Sequence, residues 1–310
     1  MKSLSEKIKS ILHEDMWNIG IIESPIENTL DGNFSGFNKA SSWIQLSKEN
    51  EFAADPFIEV DNKDPNVIHI FFELFSFKSM RGTIAYAKYH KLSKTVLENK
   101  VIIEEKFHLS YPYLFKDKNK YYIIPESSEA NKILLYECLE FPYKWKKSTL
   151  IDDFPGIDNS IIKFRDTYWL FSNNKNEGQH TSLNIFHSKK LKGNWLSHKQ
   201  NPVIKDIGSS RCAGRIIESN NTFFRPSMNN TYSYGKEIVM NKILTLNENE
   251  YKEEEVTRIK PIKESRFPDK LHTIGGNAGI TVIDSARQIS LFQSVLVLKT
   301  KLRRLKNKFL

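Results

Sequence analysis

The sequence predicts an all-β fold, a five-bladed β-propeller with a short helix at each end. Three features support this prediction: apolar segments rich in aromatic and β-branched residues, polar turns between them, and one strand pattern that recurs along the chain. The chain has 310 residues, of which 39% are hydrophobic and 12% aromatic, too much apolar mass for a disordered chain. No Pro-, Ser- or Gly-rich linker divides it, so we expect a single propeller domain.

The recurring pattern consists of a polar residue, a short apolar run, a polar hairpin loop and an aromatic strand, and it is usually followed by a third strand. The third strands are predicted at 82–89, 132–138, 182–188 and 235–243, each followed by a more polar fourth strand. Five residues mark the starts of the repeats: Asp55, Tyr111, Asp158, Arg211 and His272. The steps between them are 56, 47, 53 and 61 residues. A period of about 50 residues fits one four-stranded propeller blade, whereas a β-sandwich does not explain the recurrence.

The two ends of the chain complete the predicted architecture. We expect an N-terminal helix over 1–15, the propeller over 16–284 and a basic amphipathic helix over 285–310. Segment 16–22 is predicted to supply the missing outer strand of the short fifth blade, which closes the ring. The last segment carries one apolar stripe, formed by Leu291, Val295, Leu298, Leu302, Leu305 and Phe309. Two interpretations of this helix remain open: it lies on an anionic membrane surface, or it docks on the propeller with a basic end.

Charge and composition limit the cellular setting and the partners. The formal net charge is +9, and much of it lies between Lys299 and Lys308, which favours anionic partners. The charged N-terminus does not read as a secretory signal, and no stretch approaches the ~20 apolar residues of a membrane span. We therefore predict a cytoplasmic protein, in peripheral contact with the inner membrane face if the last helix binds lipid. No nucleic-acid partner is predicted.

Cofactor and metal signatures are absent from the sequence. Cys138 and Cys212 are far apart and belong to no CxxC pair, so neither a zinc site nor a redox pair is predicted. The glycines between Gly275 and Gly279 lack the Lys and Ser/Thr of a phosphate-binding loop and are typical of a tight turn. We predict no cofactor and no metal.

Propeller geometry turns the repeat into a predicted pocket, because the first strand of every blade lies beside the central channel. Asp55 and Asp158 hold equivalent positions in two blades, and Glu126 ends the second strand of blade two. We predict these three as catalytic carboxyls, although each also fits an ordinary turn or loop residue. Burial beside another carboxylate raises the pKa of such a group, as a general acid requires.

Further residues are predicted to bind the substrate. Glu73 is the blade-one equivalent of Glu126, Tyr111 is a candidate for stacking on a sugar ring, and His272 opens blade five. Three blade-four arginines are candidates for phosphate or carboxylate recognition: Arg211, Arg215 and Arg225. Ion pairing with the aspartates is the alternative for the arginines, and core packing is the alternative for the tyrosine. Tyr232 and Tyr234 are also candidates for stacking on a sugar ring, with core packing as the alternative, and His108 is a weaker candidate than His272.

Several short motifs resemble one family. They are Ala54 to Phe57, Tyr111 to Phe115, Tyr121 to Ser127, Asp158 to Ile161, Tyr168 to Asn173, Arg211 to Arg215 and Phe224 to Pro226. This order resembles the propeller domain at the N-terminus of plant glucosamine inositolphosphorylceramide transferases, whose bacterial relatives occur alone or beside formyltransferase-like domains. The resemblance covers roughly Trp17 to Asp284.

That domain is similar in turn to the five-bladed propellers of family 43 glycoside hydrolases. The resemblance implies that Asp55 is a base, Glu126 an acid and Asp158 the aspartate that tunes the acid. Glu126 lies on an earlier blade than the hydrolase glutamate, and blade four carries arginines instead.

Three functions follow from these observations. The first is an enzyme of surface-glycan (polysaccharide) biosynthesis that transfers a sugar or related group from a phosphate-activated donor, with a carbohydrate or lipid-linked glycan as substrate. The arginines would hold the phosphate, and Asp55 would deprotonate the acceptor hydroxyl. The alternatives are a glycoside hydrolase with paired carboxylates and a non-catalytic glycan-binding propeller. We favour the transferase.

Overall fold

The computed structural model describes residues 13–30, 32 and 41–290. Within these ranges the protein is all-β, and its strands form five separate antiparallel sheets. Helical structure there is limited to two short 3₁₀ turns, Ile26–Thr29 and Ser128–Ala130. None of these turns is long and apolar enough to cross a lipid bilayer. The predicted five-bladed propeller is confirmed.

The strands are numbered in chain order over the described residues. They are β1 (His13–Ile22), β2 (Ser41–Ile44), β3 (Glu51–Val60), β4 (Val67–Ser76), β5 (Arg81–His90), β6 (Thr95–Ile103), β7 (Ser110–Asp117), β8 (Lys120–Glu126), β9 (Ile133–Glu140), β10 (Lys144–Ile151), β11 (Gly156–Phe164), β12 (Thr167–Asn174), β13 (Ser182–Ser188), β14 (Leu196–Ser197), β15 (Ile204–Lys205), β16 (Arg211–Cys212), β17 (Ile217–Ser219), β18 (Thr222–Asn229), β19 (Glu237–Leu246), β20 (Tyr251–Ile259), β21 (Lys270–Asn277) and β22 (Ile280–Ser290).

Each blade is one sheet whose first strand borders the central channel. The channel strands are β3, β7, β11, β16 and β21, and neighbouring blades meet along them. Each of these strands holds or begins with one of the five marker residues. The blade period in the sequence therefore locates all five blades.

The fifth blade is assembled from both ends of the described chain. Its sheet has the order β2-β1-β22-β21, and β1 pairs with β22 over ten residues, from His13 opposite Ser290 to Ile22 opposite Thr281. The N-terminal segment thus closes the ring, as predicted. It supplies the third strand rather than the outer one, which is β2.

The predicted terminal helices are not borne out by the described residues. Residues 13–15 belong to β1 and residues 285–290 belong to β22, because the ladder between these strands continues beyond the predicted propeller boundaries. The rest of both predicted helices, 1–12 and 291–310, lies outside the described residues. The proposed apolar stripe and its basic residues belong to that undescribed part.

An irregularity recurs at the marker positions of the channel strands. Asp55, Tyr111 and Asp158 have positive φ angles of 52°, 46° and 48°, and in each case the register of pairing with the next strand shifts at that point. Each shift inserts one extra residue into the channel strand, which is a β-bulge and redirects a side chain. A left-handed conformation at a residue other than glycine has a conformational cost. The marker residues of three blades are therefore oriented by the same kind of β-bulge.

Hydrophobic cores fill the spaces between adjacent blades. One core joins blades one to four and includes the fully buried Phe57, Phe71 and Phe171. Smaller cores join blade five to blade one and to blade four. The rigid ring they form holds the channel strands, and with them the site described next.

Candidate functional site

Asp55 lies in a network that joins three blades. Its backbone N–H donates to Asp284 Oδ2 at 2.8 Å, and its carboxylate accepts from Thr273 Oγ1 at 2.7 Å and from the Tyr111 backbone N–H at 3.2 Å. Burial raises the pKa of Asp55 to about 6, with His272 opposing the rise and Asp284 adding to it. Asp55 thus ionises close to neutral pH and is still held in one orientation.

His272 connects Asp55 to a second, fully buried carboxylate. Its Nδ1 donates to Asp284 Oδ1 at 2.7 Å, and its Nε2 lies 3.8 Å from Asp55 Oδ1. Trp17 from β1 stacks on the imidazole, with the ring centroids 3.7 Å apart. Burial opposes protonation of His272, but Asp284 and Asp55 outweigh it, so the pKa of His272 is raised. An imidazolium between two carboxylates is the arrangement that this geometry favours.

Asp158 is paired with one of the three predicted arginines. Arg211 Nε lies 2.5 Å from Asp158 Oδ2, and Arg211 Nη2 lies 3.8 Å from Glu126 Oε2. Burial, acting against the nearby guanidinium, raises the pKa of Asp158 to about 6. Arg211 also donates to His180 Nδ1 at 3.0 Å and lies 5.1 Å from the centre of the Tyr234 ring. Arg211 therefore links the carboxyls of blades two and three.

Glu73 lies opposite Ala54, next to Asp55, in the pairing of β3 with β4. Burial, with a contribution from the neighbouring carboxylates, raises the pKa of Glu73 well above its usual range. The Gly82 backbone N–H donates to His108 Nδ1 at 2.9 Å, so a neutral His108 carries its proton on Nε2, 3.5 Å from Glu73 Oε1. Burial lowers the pKa of His108, which keeps the ring neutral.

The side chains of three other predicted site residues bond protein groups other than these carboxyls. The ring of Tyr111 is fully buried and its hydroxyl bonds Gly214 and Ser160, so this ring is not available to stack on a sugar. Arg215 donates to the Leu114 carbonyl, three residues farther along β7 than Tyr111. Arg225 is fully buried and forms two hydrogen bonds, of 2.8 and 2.5 Å, with Glu253 on the outer strand β20. Arg215 and Arg225 therefore bind protein groups other than Asp55, Glu126 and Asp158.

The term "carboxyl pocket" is used below for the residues that the structure does bring together. They are Asp55, Glu73, Glu126, Asp158, Arg211, His272 and Asp284. Five carboxyls share this space with one arginine and one histidine. Burial and the nearness of like charges raise the pKa of Asp55, Glu73 and Asp158.

One subset has the composition of a metal site. Asp55, His272 and Asp284 each place one candidate ligand atom within 4.8 Å of the others. The same atoms are joined by the hydrogen bond and ion pair that centre on His272, which already accounts for their proximity.

Asp284 in the carboxyl pocket was not predicted from the sequence, nor were Trp17 and His180, which contact His272 and Arg211. Asp284 lies on the second strand of blade five, opposite Thr273, much as Glu73 and Glu126 lie on the second strands of their blades. A carboxyl on the second strand, opposite the marker region, is the signal that would have found it. Trp17 and His180 come from a closing strand and a loop, for which the repeat gives no register.

One known protein family matches most of the sequence. Residues 37–267 match the family described as glucosamine inositolphosphorylceramide transferase 1, N-terminal. The chain belongs to this family. It is 29% identical over 260 residues to glucosamine inositolphosphorylceramide transferase 1 of Oryza sativa subsp. japonica, covering 77% of this chain and 34% of the rice protein. It is 32% identical over 225 residues to the Arabidopsis thaliana protein of the same name, covering 70% and 28% of the two chains. The chain thus spans about a third of these relatives' length.

Solved structures share the fold at low sequence identity. A family 117 glycoside hydrolase from Zobellia galactanivorans superposes with a TM-score of 0.54 at 12% identity, covering 88% of this chain and 90% of its own. A GH43 β-1,3-galactosidase solved with galactodeoxynojirimycin gives 0.52 at 11% identity, covering 69% and 81%. The α-L-arabinofuranosidase of Podospora anserina, solved with cellotriose, gives 0.51 at 8% identity, covering 76% and 90%.

Proposed function

We propose that this propeller is a carbohydrate-active enzyme whose carboxyl pocket performs acid–base chemistry on an uncharged sugar. The observation that carries the proposal is the clustering of Asp55, Glu126 and Asp158 around Glu73, with Arg211 bound to Asp158 and close to Glu126. Carboxyls bind sugar hydroxyls and move protons, whereas a phosphate placed among them would meet like charge. The relatives are named as transferases and the structures of similar fold as glycosidases, and both names agree with a sugar substrate.

Asp55 is the proposed base. With its pKa at about 6 it is mostly ionised at pH 7, yet still basic enough to take a proton from a hydroxyl or a water molecule. The Thr273 hydroxyl and the Tyr111 N–H orient its carboxylate. His272 and Asp284 lie behind it and fix its surroundings.

Two carboxyls compete for the role of acid, and we propose Glu73 for it. Burial and the neighbouring carboxylates raise its pKa well above the usual range, which is the direction that a proton donor requires. The family resemblance points instead to Glu126, tuned by Asp158, and Arg211 connects these two residues. If Glu73 is the acid, Glu73→Gln cannot protonate the leaving group. If Glu126 is the acid, Glu126→Gln is the variant with this defect.

Activated substrates separate these roles. We expect Asp55→Asn to lower turnover of every accepted glycoside by about a hundredfold or more. Glu73→Gln should spare 4-nitrophenyl glycosides, whose leaving group needs little protonation, and lose activity on natural linkages. Asp61→Asn, on the first hairpin of the same blade, is the matched control and should retain activity. Full activity of Asp55→Asn would refute the proposal. If Glu126→Gln, and not Glu73→Gln, retains activity on 4-nitrophenyl glycosides and loses it on natural linkages, Glu126 is the acid. Binding without turnover by the wild type would indicate the non-catalytic alternative.

Transfer from a phosphate-activated donor is the second candidate, favoured by the names of the relatives and by Arg211 at the pocket. Arg211 would then leave Asp158 to hold the phosphate. Native mass spectrometry against nucleotide sugars and lipid-phosphate sugars tests this role. Binding of one donor that is lost in Arg211→Gln supports it, and binding of none refutes it.

Membrane contact at the inner face of a cytoplasmic membrane is a further proposal, which rests on the basic residues between Lys299 and Lys308. Chains truncated before Lys299 should no longer sediment with anionic vesicles. Unchanged sedimentation would remove the support for it.

A further inference from the structure

A groove of about 570 Å³ lies on the flank of blade four, separate from the carboxyl pocket. Its walls come from the end of blade three at Ile204, from the loop that includes Asp206 and Gly208, and from Glu253 on β20. Asn229 and the following loop form its upper rim. None of the residues of the carboxyl pocket line this groove, so the groove is a separate candidate binding site.

Tyr232 gives this groove an exposed aromatic wall. It is 69% exposed, an unusual position for a large aromatic side chain. Tyr234, two residues along the same loop, contacts His272 of the carboxyl pocket and Trp17, which stacks on that histidine. Two residues of chain span at most about 7 Å, so the groove and the pocket lie on the two sides of one short loop.

Oxygen atoms surround a small recess beside Gly208. A methyl group built on this glycine would lie 3.1 Å from Asp206 Oδ2, 3.5 Å from Thr231 Oγ1 and 3.7 Å from Asn229 Oδ1. Ser209 Oγ donates to the same Asp206 oxygen at 2.8 Å, and the Thr231 N–H donates to Asn229 Oδ1 at 3.0 Å. A carboxylate, a hydroxyl and an amide oxygen are therefore held in place around one point.

The charged residues around the groove determine which class of ligand it favours. Arg225 neutralises Glu253, Arg258 neutralises Glu255, and the lining residue Lys252 pairs with Glu250. Within the described residues no cation pairs with Asp206, so the recess itself is negative. This excess disfavours phosphate or carboxylate ligands and favours a neutral ligand rich in hydroxyl donors.

We propose that this groove is a second saccharide-binding site, in which a sugar ring stacks on Tyr232 and its hydroxyls bond Asp206, Thr231 and Asn229. An aromatic wall beside a few fixed polar groups is the usual composition of such sites. The ligand is an uncharged oligosaccharide. The proposal does not depend on chemistry in the carboxyl pocket.

Binding of the full chain to an immobilised panel of neutral oligosaccharides tests this site. We expect a retained saccharide whose affinity falls about tenfold or more in Tyr232→Ala and in Gly208→Ala, whose methyl group fills the recess. Tyr232→Trp keeps an aromatic ring and should restore binding. Tyr143→Ala removes another exposed tyrosine, on blade two, and should leave binding unchanged.

A pocket variant separates this proposal from the proposed function. Asp55→Asn should keep the groove-bound saccharide, whatever it does to turnover. Retention of no panel member, or unchanged binding in both groove variants, overturns the inference. Loss of binding in Asp55→Asn alone also overturns it, because the saccharide then sits in the carboxyl pocket.

Discussion

At the residue scale, the carboxyl pocket holds acids in surroundings that favour their neutral forms. Asp55 and Asp158 are almost fully buried, and burial raises the pKa of both to about 6. A carboxyl that ionises less readily in the folded chain than in the unfolded chain destabilises the fold at neutral pH. Such a cost is typical of a functional site rather than of a structural one.

The pH dependence of stability should reveal this cost. The folded pKa of Asp55 is raised, so its contribution to stability is complete below about pH 4 and is lost as the pH rises through about 6. Asp55→Asn cannot ionise, and we expect it to be more stable than the wild type at pH 8 by roughly 1–3 kcal/mol and to lose this advantage at pH 4.5. Urea unfolding at the two pH values measures the difference.

Asp61 provides a control, because its pKa is shifted in the opposite direction and its ionisation stabilises the fold. The Lys63 backbone N–H, His69 and the Asp64 N–H lower its pKa to about 2, so its contribution is present above pH 4 and is lost as the pH falls towards 2. Asp61→Asn should therefore be less stable than the wild type at pH 8. If Asp55→Asn also loses stability at pH 8, its carboxylate stabilises the fold and the cost argument is wrong.

Arg225 shows why residue type alone could not assign every site residue. The sequence identified three blade-four arginines as equivalent candidates, and only Arg211 reaches the pocket carboxyls. The partner of Arg225 is Glu253, 28 residues later on a different strand. Arg225 lies on β18, the second strand of its sheet. Which face of a strand an arginine occupies depends on register, and register is not visible in composition.

Removing Arg225 should destabilise the protein strongly. The guanidinium is fully buried, and its loss leaves the Glu253 carboxylate without its cationic partner. We expect Arg225→Ala to cost about 3–5 kcal/mol in denaturant unfolding. Arg258→Ala removes a half-exposed arginine from the same blade and should cost about 1 kcal/mol or less. Equal losses in the two variants would contradict the assignment of Arg225 as a buried structural cation.

At the scale of elements, the bulged channel strand is what aims the pocket residues. The sequence predicted these strands and their marker residues because alternation, turns and spacing are local features. It did not predict the positive φ angles at Asp55, Tyr111 and Asp158, since none of these positions is a glycine. Tertiary contacts, such as the Tyr111 N–H to Asp55, hold this backbone in place.

The contact between blades four and five depends on one glycine. Gly214 has a φ of +133°, forms a bridge with Ile274, and would place a Cβ only 1.7 Å from the Ile274 carbonyl oxygen. We expect Gly214→Ala to force the blades apart and to cost about 3 kcal/mol or more in thermal or urea unfolding. Gly279→Ala also has a positive φ, but nothing lies within 4 Å of its Cβ, so it should cost about 1 kcal/mol. Similar losses at both glycines would show that backbone strain, not the contact, dominates.

At the scale of the whole molecule, ring closure joins the two ends of the propeller and also completes the pocket. Strand β1 pairs with β22 and brings Trp17 against His272. The need for a closing strand was predictable, because five repeats with a short last one leave an open edge. Its position as the third strand was not, because β2 carries no repeat signature.

Closure by β1 should make the five blades unfold as one unit. Ile19 on β1 is fully buried, and we expect Ile19→Ala to lower the free energy of unfolding by about 2–4 kcal/mol. If the ring is cooperative, the slowest-exchanging amides of β4, β8, β12, β18 and β22 should all lose protection by that amount in native-state hydrogen exchange. Val101→Ala, on the exposed strand β6, should change protection by less than about 0.5 kcal/mol. Loss of protection confined to β22 and β1 would show that blade five opens alone, and closure would then be a local contact rather than the global constraint inferred from the topology.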